Sequence, residues 1–311
     1  VPSPAPYIPV SIITGESLKT VDFVNPTDLF VFNDNQIYIV DSGNNRIVVL
    51  DQNFNIEKII DSFTNNGKVD TFNKPQGIFV NDDGELYIAD TDNARIVHLD
   101  SEGNFLREIG PPTGEIIPDD FQYRPTALVE GKGKRIYVVA LGVNQGLLEF
   151  DKDGIFRGYV GAPKITPNMI EYFWKLIATQ EQRERMQDFV PTEYNNIDID
   201  EEGFIYVTTS TISVEDIRSA INSRSSSDIG APVRKLNPTG DDILRRYGYF
   251  PPVGDILFRS RGYAESGNSQ FVDVCVEQYG IYTVLDKRKG RIFTYDSDGN
   301  LLYIFGGLGN R

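Results

Sequence analysis

Three aspartates are each followed five positions later by an arginine: Asp41/Arg46, Asp90/Arg95 and Asp286/Arg291. Carboxylates at such a spacing could form a ring of hard oxygen donors at one rim of the molecule. Alternatively, each aspartate could hydrogen-bond its own tight loop while each arginine pairs between neighbouring units. Recurrence favours the second reading, because a functional site is usually asymmetric whereas a folding device repeats. His98 is the only histidine and Cys275 the only cysteine. Ser-His-Asp chemistry would have to run through His98, which sits in Arg95-Ile96-Val97-His98-Leu99-Asp100 and reads as part of a third strand, away from any central channel. A nucleophilic Cys275 would need an activating base, and none is evident. It reads as a small buried hydrophobe on an inner strand. A single cysteine excludes an internal disulfide and a cysteine-based zinc site. No Walker-type loop, dinucleotide fingerprint or EF-hand spacing occurs. No catalytic or metal-binding residue is therefore assigned, and no cofactor is expected.

The elements that would carry these residues repeat. One unit runs Pro26-Thr27-Asp28-Leu29-Phe30-Val31, Gln36-Ile37-Tyr38-Ile39-Val40-Asp41 and Arg46-Ile47-Val48-Val49-Leu50-Asp51. The next runs Pro75-Gln76-Gly77-Ile78-Phe79-Val80, Glu85-Leu86-Tyr87-Ile88-Ala89-Asp90 and Arg95-Ile96-Val97-His98-Leu99-Asp100. Tyr38, Tyr87, Tyr137, Tyr206 and Tyr282 mark the register of five such units. Their spacing is about fifty residues, longer in the last two intervals, as in a propeller rather than a helical solenoid. Within each unit, β-branched and aromatic residues alternate by two, the pattern of strands. Acidic-Gly pairs such as Asp83-Gly84, Glu102-Gly103, Asp153-Gly154, Glu202-Gly203 and Asp298-Gly299 supply hairpin turns. The expectation is an all-β propeller of four-stranded blades, closing into a ring that hides its strand edges.

The runs Tyr38-Ile39-Val40-Asp41-Ser42-Gly43-Asn44-Asn45-Arg46-Ile47 and Tyr87-Ile88-Ala89-Asp90-Thr91-Asp92-Asn93-Ala94-Arg95-Ile96 resemble the NHL repeat signature. The third and fourth units depart from it, with Ala140 and Thr208 or Thr209 near the aspartate position. The resemblance covers nearly the whole chain and is closest to extracytoplasmic NHL-repeat proteins of Gram-positive bacteria, which have no settled activity. Some NHL-related propellers are amidating lyases that hold zinc with several histidines, a set this sequence cannot supply. Six-bladed gluconolactonase-like propellers are calcium-assisted lactonases, but their expected Glu and Asn/Asp ligands are not recognisable here. In such relatives a sixth set of inner strands would follow, so the ring is either five-bladed or six-bladed with a piece absent from this sequence, and the resemblance favours six blades in the parent protein. Here Tyr7-Ile8-Pro9-Val10-Ser11-Ile12-Ile13-Thr14-Gly15 reads as an orphan fourth strand, followed by five full blades.

Residues 1–6 read as a Pro-rich linker and 7–311 as a single propeller domain, with a helical insertion at about 163–191 and a loop or short-helix insertion at about 210–232. In the first insertion, Thr166-Pro167 begins a helix, and Phe173 and Trp174 fall on its apolar face. Phe173, Trp174 and Phe189, with Tyr249 and Phe250 of an aromatic-Pro loop, are the candidate binding residues. The formal charge of −15, from 45 acidic and 30 basic residues, disfavours a phosphate backbone as partner. No apolar run is long enough to span a membrane. The function expected is non-enzymatic: an extracytoplasmic bacterial propeller that binds a protein, peptide or carbohydrate through loops on one face. The alternative is a divalent-metal-dependent lactonase, for which calcium would be the cofactor.

Overall fold

The computed structural model describes residues 7, 10–117, 120–143, 145–161, 193–209, 222, 231–246, 253–255 and 268–308. The chain forms antiparallel blades in which each strand pairs with the next. The first blade is β1 (Pro26–Phe32), β2 (Gln36–Asp41), β3 (Arg46–Asp51) and β4 (Ile56–Ile60). A small hairpin, β5 (Ser62–Asn65) and β6 (Lys68–Thr71), connects it to the second blade, and the repeat pattern gave no hint of this hairpin. The second blade is β7 (Pro75–Val80), β8 (Leu86–Asp90), β9 (Arg95–Leu99) and β10 (Phe105–Ile109). The third is β11 (Pro125–Gly131), β12 (Arg135–Ala140), β13 (Leu147–Phe150) and β14 (Phe156–Val160). The fourth holds β15 (Asn196–Ile199), β16 (Ile205–Thr208) and β17 (Val233–Leu236); its outer strand shrinks to a bridge between Leu236 and Asp242. The fifth is β18 (Phe271–Val276), β19 (Tyr282–Asp286), β20 (Arg291–Tyr295) and β21 (Leu301–Gly306). The helical insertion at 163–191, and nearly all of that at 210–232, lie outside the described residues.

The acidic-Gly turns form as the sequence requires. Gly84, Gly103, Gly154, Gly203 and Gly299 all take positive φ between 78° and 88°, a conformation open to glycine because it lacks a Cβ.

Apolar faces pack blade against blade. Ile78, Val80, Leu86, Ile88, Val97 and Leu99 of the second blade meet Tyr38, Val40, Ile47 and Val49 of the first. The inner strands pack in succession, β1 on β7, β7 on β11, β11 on β15 and β15 on β18, whereas β18 and β1 do not pack closely. The ring therefore has one unlike seam. There, Leu29 is 58% exposed, whereas Ile78, at the same register position in the second blade, is 4% exposed. The described residues of the orphan segment, Tyr7 and 10–15, belong to no strand. Tyr7 packs on Tyr303 and Phe305 of β21, and residues 10–14 form no strand.

The fifth blade also corrects the reading of the register. Tyr38 and Tyr87 stand three residues before Asp41 and Asp90, but Thr283 holds that position before Asp286. The ladder agrees: Asp286 pairs with Arg291 as Asp41 pairs with Arg46. Tyr282 is thus one residue out of register, and a slip of one residue moves a side chain to the other face of the sheet. It points toward the fourth blade, where its ring lies 5.7 Å from that of Tyr206.

Candidate functional site

Phe173, Trp174, Phe189, Tyr249 and Phe250 all lie outside the described residues. The described residues offer three other sets of polar groups: the recurring aspartates, the carboxylates of the inner strands, and a cleft between the fourth and fifth blades.

The recurring aspartates are fully buried and act as clamps. Asp41 Oδ1 accepts the backbone N–H of Val24 at 2.8 Å, and Asp90 Oδ1 accepts that of Asn73 at 2.7 Å. Asp286 Oδ1 does the same for Gln270 at 2.9 Å. Each aspartate therefore holds the segment entering its own blade rather than only its own loop. The arginines do not pair between blades, as the spacing had suggested. Arg46 donates to Asp41 at 2.7 Å and to the carbonyl of Val21 at 2.7 Å. Arg95 donates to Asp90 at 2.9 Å and to Asp70 of the β5–β6 hairpin at 2.8 Å, and its hydrogen bonds hold the Asp70 carboxyl down at about 2. Arg291 departs from the pattern by donating to Asp255 at 2.7 Å. A turn closes each clamp in the regular blades, with Asn45 and Ala94 left-handed at φ 54° and 53°.

The inner strands bring a second set of carboxylates together. One register position is filled by Asp28, Gly77, Ala127, Asn196 and Asp273 in blades one to five. Gly77 is required in the second blade, because a Cβ there would overlap the carbonyl oxygen of Thr126 on β11. Asp28 Oδ2 accepts the N–H of Ile78 in the next blade at 2.8 Å. Asn196 donates to Asp273 at 2.6 Å. Two residues along β15, Asp198 Oδ2 accepts the N–H of Val276 in the fifth blade at 2.7 Å. Burial pushes the Asp28 and Asp198 carboxyls up to about 7 and that of Asp273 to about 6. The charge of Asp273 raises the other two further. Among the described residues, no three His, Cys, Asp or Glu side chains come together in a way that could hold a metal ion.

The hairpin ends of the fourth and fifth blades enclose a cleft of about 670 Å³. The β15–β16 turn supplies Glu201 and Glu202, and the turn before β19 supplies Glu277 and Tyr279. Tyr279 is 90% exposed and left-handed, at φ 63° and ψ 17°. On the inner wall Lys235 bonds Asp200 at 2.8 Å and lies over the rings of Phe204 and Tyr206, 4.6 and 5.0 Å from their centroids. Burial works against its charge, but hydrogen bonds to Asp200 and Tyr206 outweigh this and hold the ammonium above its ordinary value. An aromatic ring beside carboxylates can stack on a sugar face or a cation while the oxygens accept hydroxyl or ammonium protons.

The family model of the NHL repeat matches residues 23–50 and 72–99, the inner three strands of the first two blades with the segments their aspartates clamp. The chain carries NHL repeats. A catalytically inactive variant of virginiamycin B lyase from Staphylococcus aureus, solved with quinupristin, shares this chain's propeller fold at a TM-score of 0.50 and 11% identity, over 89% of this chain and 68% of that one. A streptogramin B lyase aligns at a TM-score of 0.49 and 12% identity, over 92% and 84% of the two chains. The extracellular domain of a hybrid two-component system protein from B. thetaiotaomicron aligns at 0.49 and 12%, over 97% of the propeller but 30% of its own chain. No curated protein sequence matches the chain.

The chain's single histidine and single cysteine differ in outcome. His98 is buried, stacked on Tyr87 at 3.9 Å, with Nε2 facing Glu85 at 3.2 Å and Nδ1 facing the Arg107 Nε at 3.2 Å. Burial holds its pKa below the ordinary value, and both ring nitrogens are engaged within the protein. Cys275 is exposed rather than buried, because its face of β18 looks onto the unlike seam. Its surroundings still push the thiol up to about 12, chiefly by desolvation and then by the charges of Asp198, Asp273 and Glu277. A thiol so rarely ionised is a poor nucleophile. Neither Tyr279 nor the carboxylates of the inner strands stand out in the sequence, since one is a lone tyrosine in a turn and the others sit at ordinary strand positions.

Proposed function

We propose that this propeller is a non-enzymatic binding module, acting outside the cytoplasm of a bacterium, that recognises a protein, peptide or carbohydrate through loops on one face. The observation that carries this reading is Tyr279: a large aromatic side chain almost wholly in water, held in a costly backbone conformation at the lip of a cleft. A ring so exposed adds little to packing, and turn residues held on a rigid scaffold are common places for recognition. The resemblance of the repeats to extracytoplasmic NHL proteins supports the location. Glycan and peptide arrays probed with the whole chain, alongside Tyr279→Ala, test the proposal. Binding that is lost in the variant supports it, and array binding unaffected by Tyr279→Ala removes the cleft from consideration.

The carboxylates of the inner strands are the one observation that favours the second reading, a divalent-metal-dependent lactonase. Calcium prefers such hard oxygen donors. Against it, Asp28, Asp198 and Asp273 each accept a backbone N–H through at least one oxygen. Lactone hydrolysis abolished by EDTA and restored by calcium would establish this second reading in place of the first.

A further inference from the structure

The cleft between the fourth and fifth blades carries more negative charge than its own cations cancel. Both cations among its described lining residues are already paired. Lys235 bonds Asp200 at 2.8 Å, and Arg245 reaches Asp298 of the fifth blade at 3.2 Å. Three further carboxylates line the same cleft and are exposed: Glu201 and Glu202 from the β15–β16 turn, and Glu277 from the turn before β19. Among the described residues none of these three has an ion-pair partner, and Glu277 accepts only a hydroxyl bond from Thr283 at 3.4 Å.

The inner wall already holds a cation in the way such groups allow. The Lys235 ammonium lies 4.6 Å from the ring centroid of Phe204 and 5.0 Å from that of Tyr206, with Asp200 beside it. An ammonium on ring faces, closed off by a carboxylate, is a favourable pairing of charge with the aromatic quadrupole. The lip repeats both kinds of group without a cation. Tyr279 offers a ring that is 90% exposed, and the unpaired glutamates come from both blades around it.

We infer that the occupant of this cleft is a basic peptide segment, whose lysine or arginine side chain lies on Tyr279 among Glu201, Glu202 and Glu277. This rests on the binding role proposed above and names its ligand class. A neutral glycan could stack on the ring but would leave the three charges unused, and an acidic ligand would be repelled by them. The formal charge of −15 on the whole chain also draws a basic partner toward the surface before contact.

Fluorescence anisotropy of labelled oligolysine and oligoarginine peptides, titrated with the whole chain, tests this. One variant carries Glu201→Gln, Glu202→Gln and Glu277→Gln. A matched variant, Asp34→Asn, Asp82→Asn and Glu102→Gln, removes the same charge from exposed turns of the first two blades. Affinity should fall by about tenfold in the glutamate variant and in Tyr279→Ala, and by less than about twofold in the matched variant. Equal weakening in the two charge variants would mean attraction to the acidic surface at large and would overturn the inference. Binding of neither peptide, or a loss that spares Tyr279→Ala, would overturn it too. A ligand found on the arrays that is lost in Tyr279→Ala but indifferent to the three glutamates would sink the basic peptide and leave the binding module standing. Array binding untouched by Tyr279→Ala would remove the cleft, and this inference with it.

Discussion

Asp198 of the fourth blade accepts the backbone N–H of Val276 in the fifth at 2.7 Å, so a carboxylate held up to about 7 joins two neighbouring inner strands. A carboxyl whose pKa is raised on folding stabilises the fold fully below its unfolded value, and that contribution is lost as pH rises through the folded value. For Asp198 the unfolded value is 3.8, so the loss is complete a little above pH 7. Thermal unfolding should show stability falling between pH 5 and pH 8, with Asp28 adding to the slope over the same window. Asp198→Asn, which keeps an acceptor for Val276, should flatten the slope and raise stability at pH 8 by roughly 1–3 kcal/mol. An unchanged slope in the variant would show that the carboxylate is already relieved by water.

His98 contributes with the opposite sign. Its pKa is lowered on folding, so its contribution is present above pH 6.5 and is lost as pH falls through the folded value. An NMR titration of the single histidine should give a midpoint below 6.5. A midpoint above 6.5 would mean that Glu85 dominates over burial.

Arg46→Ala should cost about 3–5 kcal/mol in urea denaturation, because it leaves the fully buried Asp41 without its cationic partner. Arg46→Lys should recover only part of this loss, since an ammonium cannot reproduce the fork that reaches Asp41, Thr20 and Val21 together.

Tyr279→Gly separates stability from recognition. Glycine relieves the left-handed backbone at φ 63°, so the variant should be about as stable as the parent or up to ~1 kcal/mol more stable. Binding through the cleft should fall sharply in the same variant, as read by the arrays and by denaturation midpoints. A large loss of stability would mean that the ring packs onto the protein after all.

Gly77→Ala should destabilise by about 2–4 kcal/mol in the same assay, because the added methyl drives β7 away from Thr126 on β11. The corresponding residue in the third blade is already alanine, Ala127, so the intolerance belongs to one seam.

Much of this architecture is legible in the residues because it is local. Period-two runs mark the strands, acidic-Gly pairs mark the hairpins, and Asp41/Arg46 and Asp90/Arg95 mark the clamps. Less legible is whatever depends on what lies opposite. The partners of Arg95 come from the β5–β6 hairpin, which has no repeat signal. Tyr282 looks like the counterpart of Tyr38 until the ladder of Asp286 with Arg291 is counted. Cys275 carries an inner-strand pattern, and only the open seam beside it makes it exposed. Tyr279 has no pattern at all, because a left-handed tyrosine in a turn resembles any other loop residue.

The slipped tyrosine of the fifth blade bears on how such a molecule can be altered. Blades that look alike in sequence suggest interchangeable cassettes, and a first blade grafted into the fifth position would keep every strand and turn. Yet the graft would turn its tyrosine toward the open seam and leave Tyr206 without the ring it now meets. Recombination between blades would therefore succeed only among those that share a phase, which sets the fifth blade apart from the first two as a module.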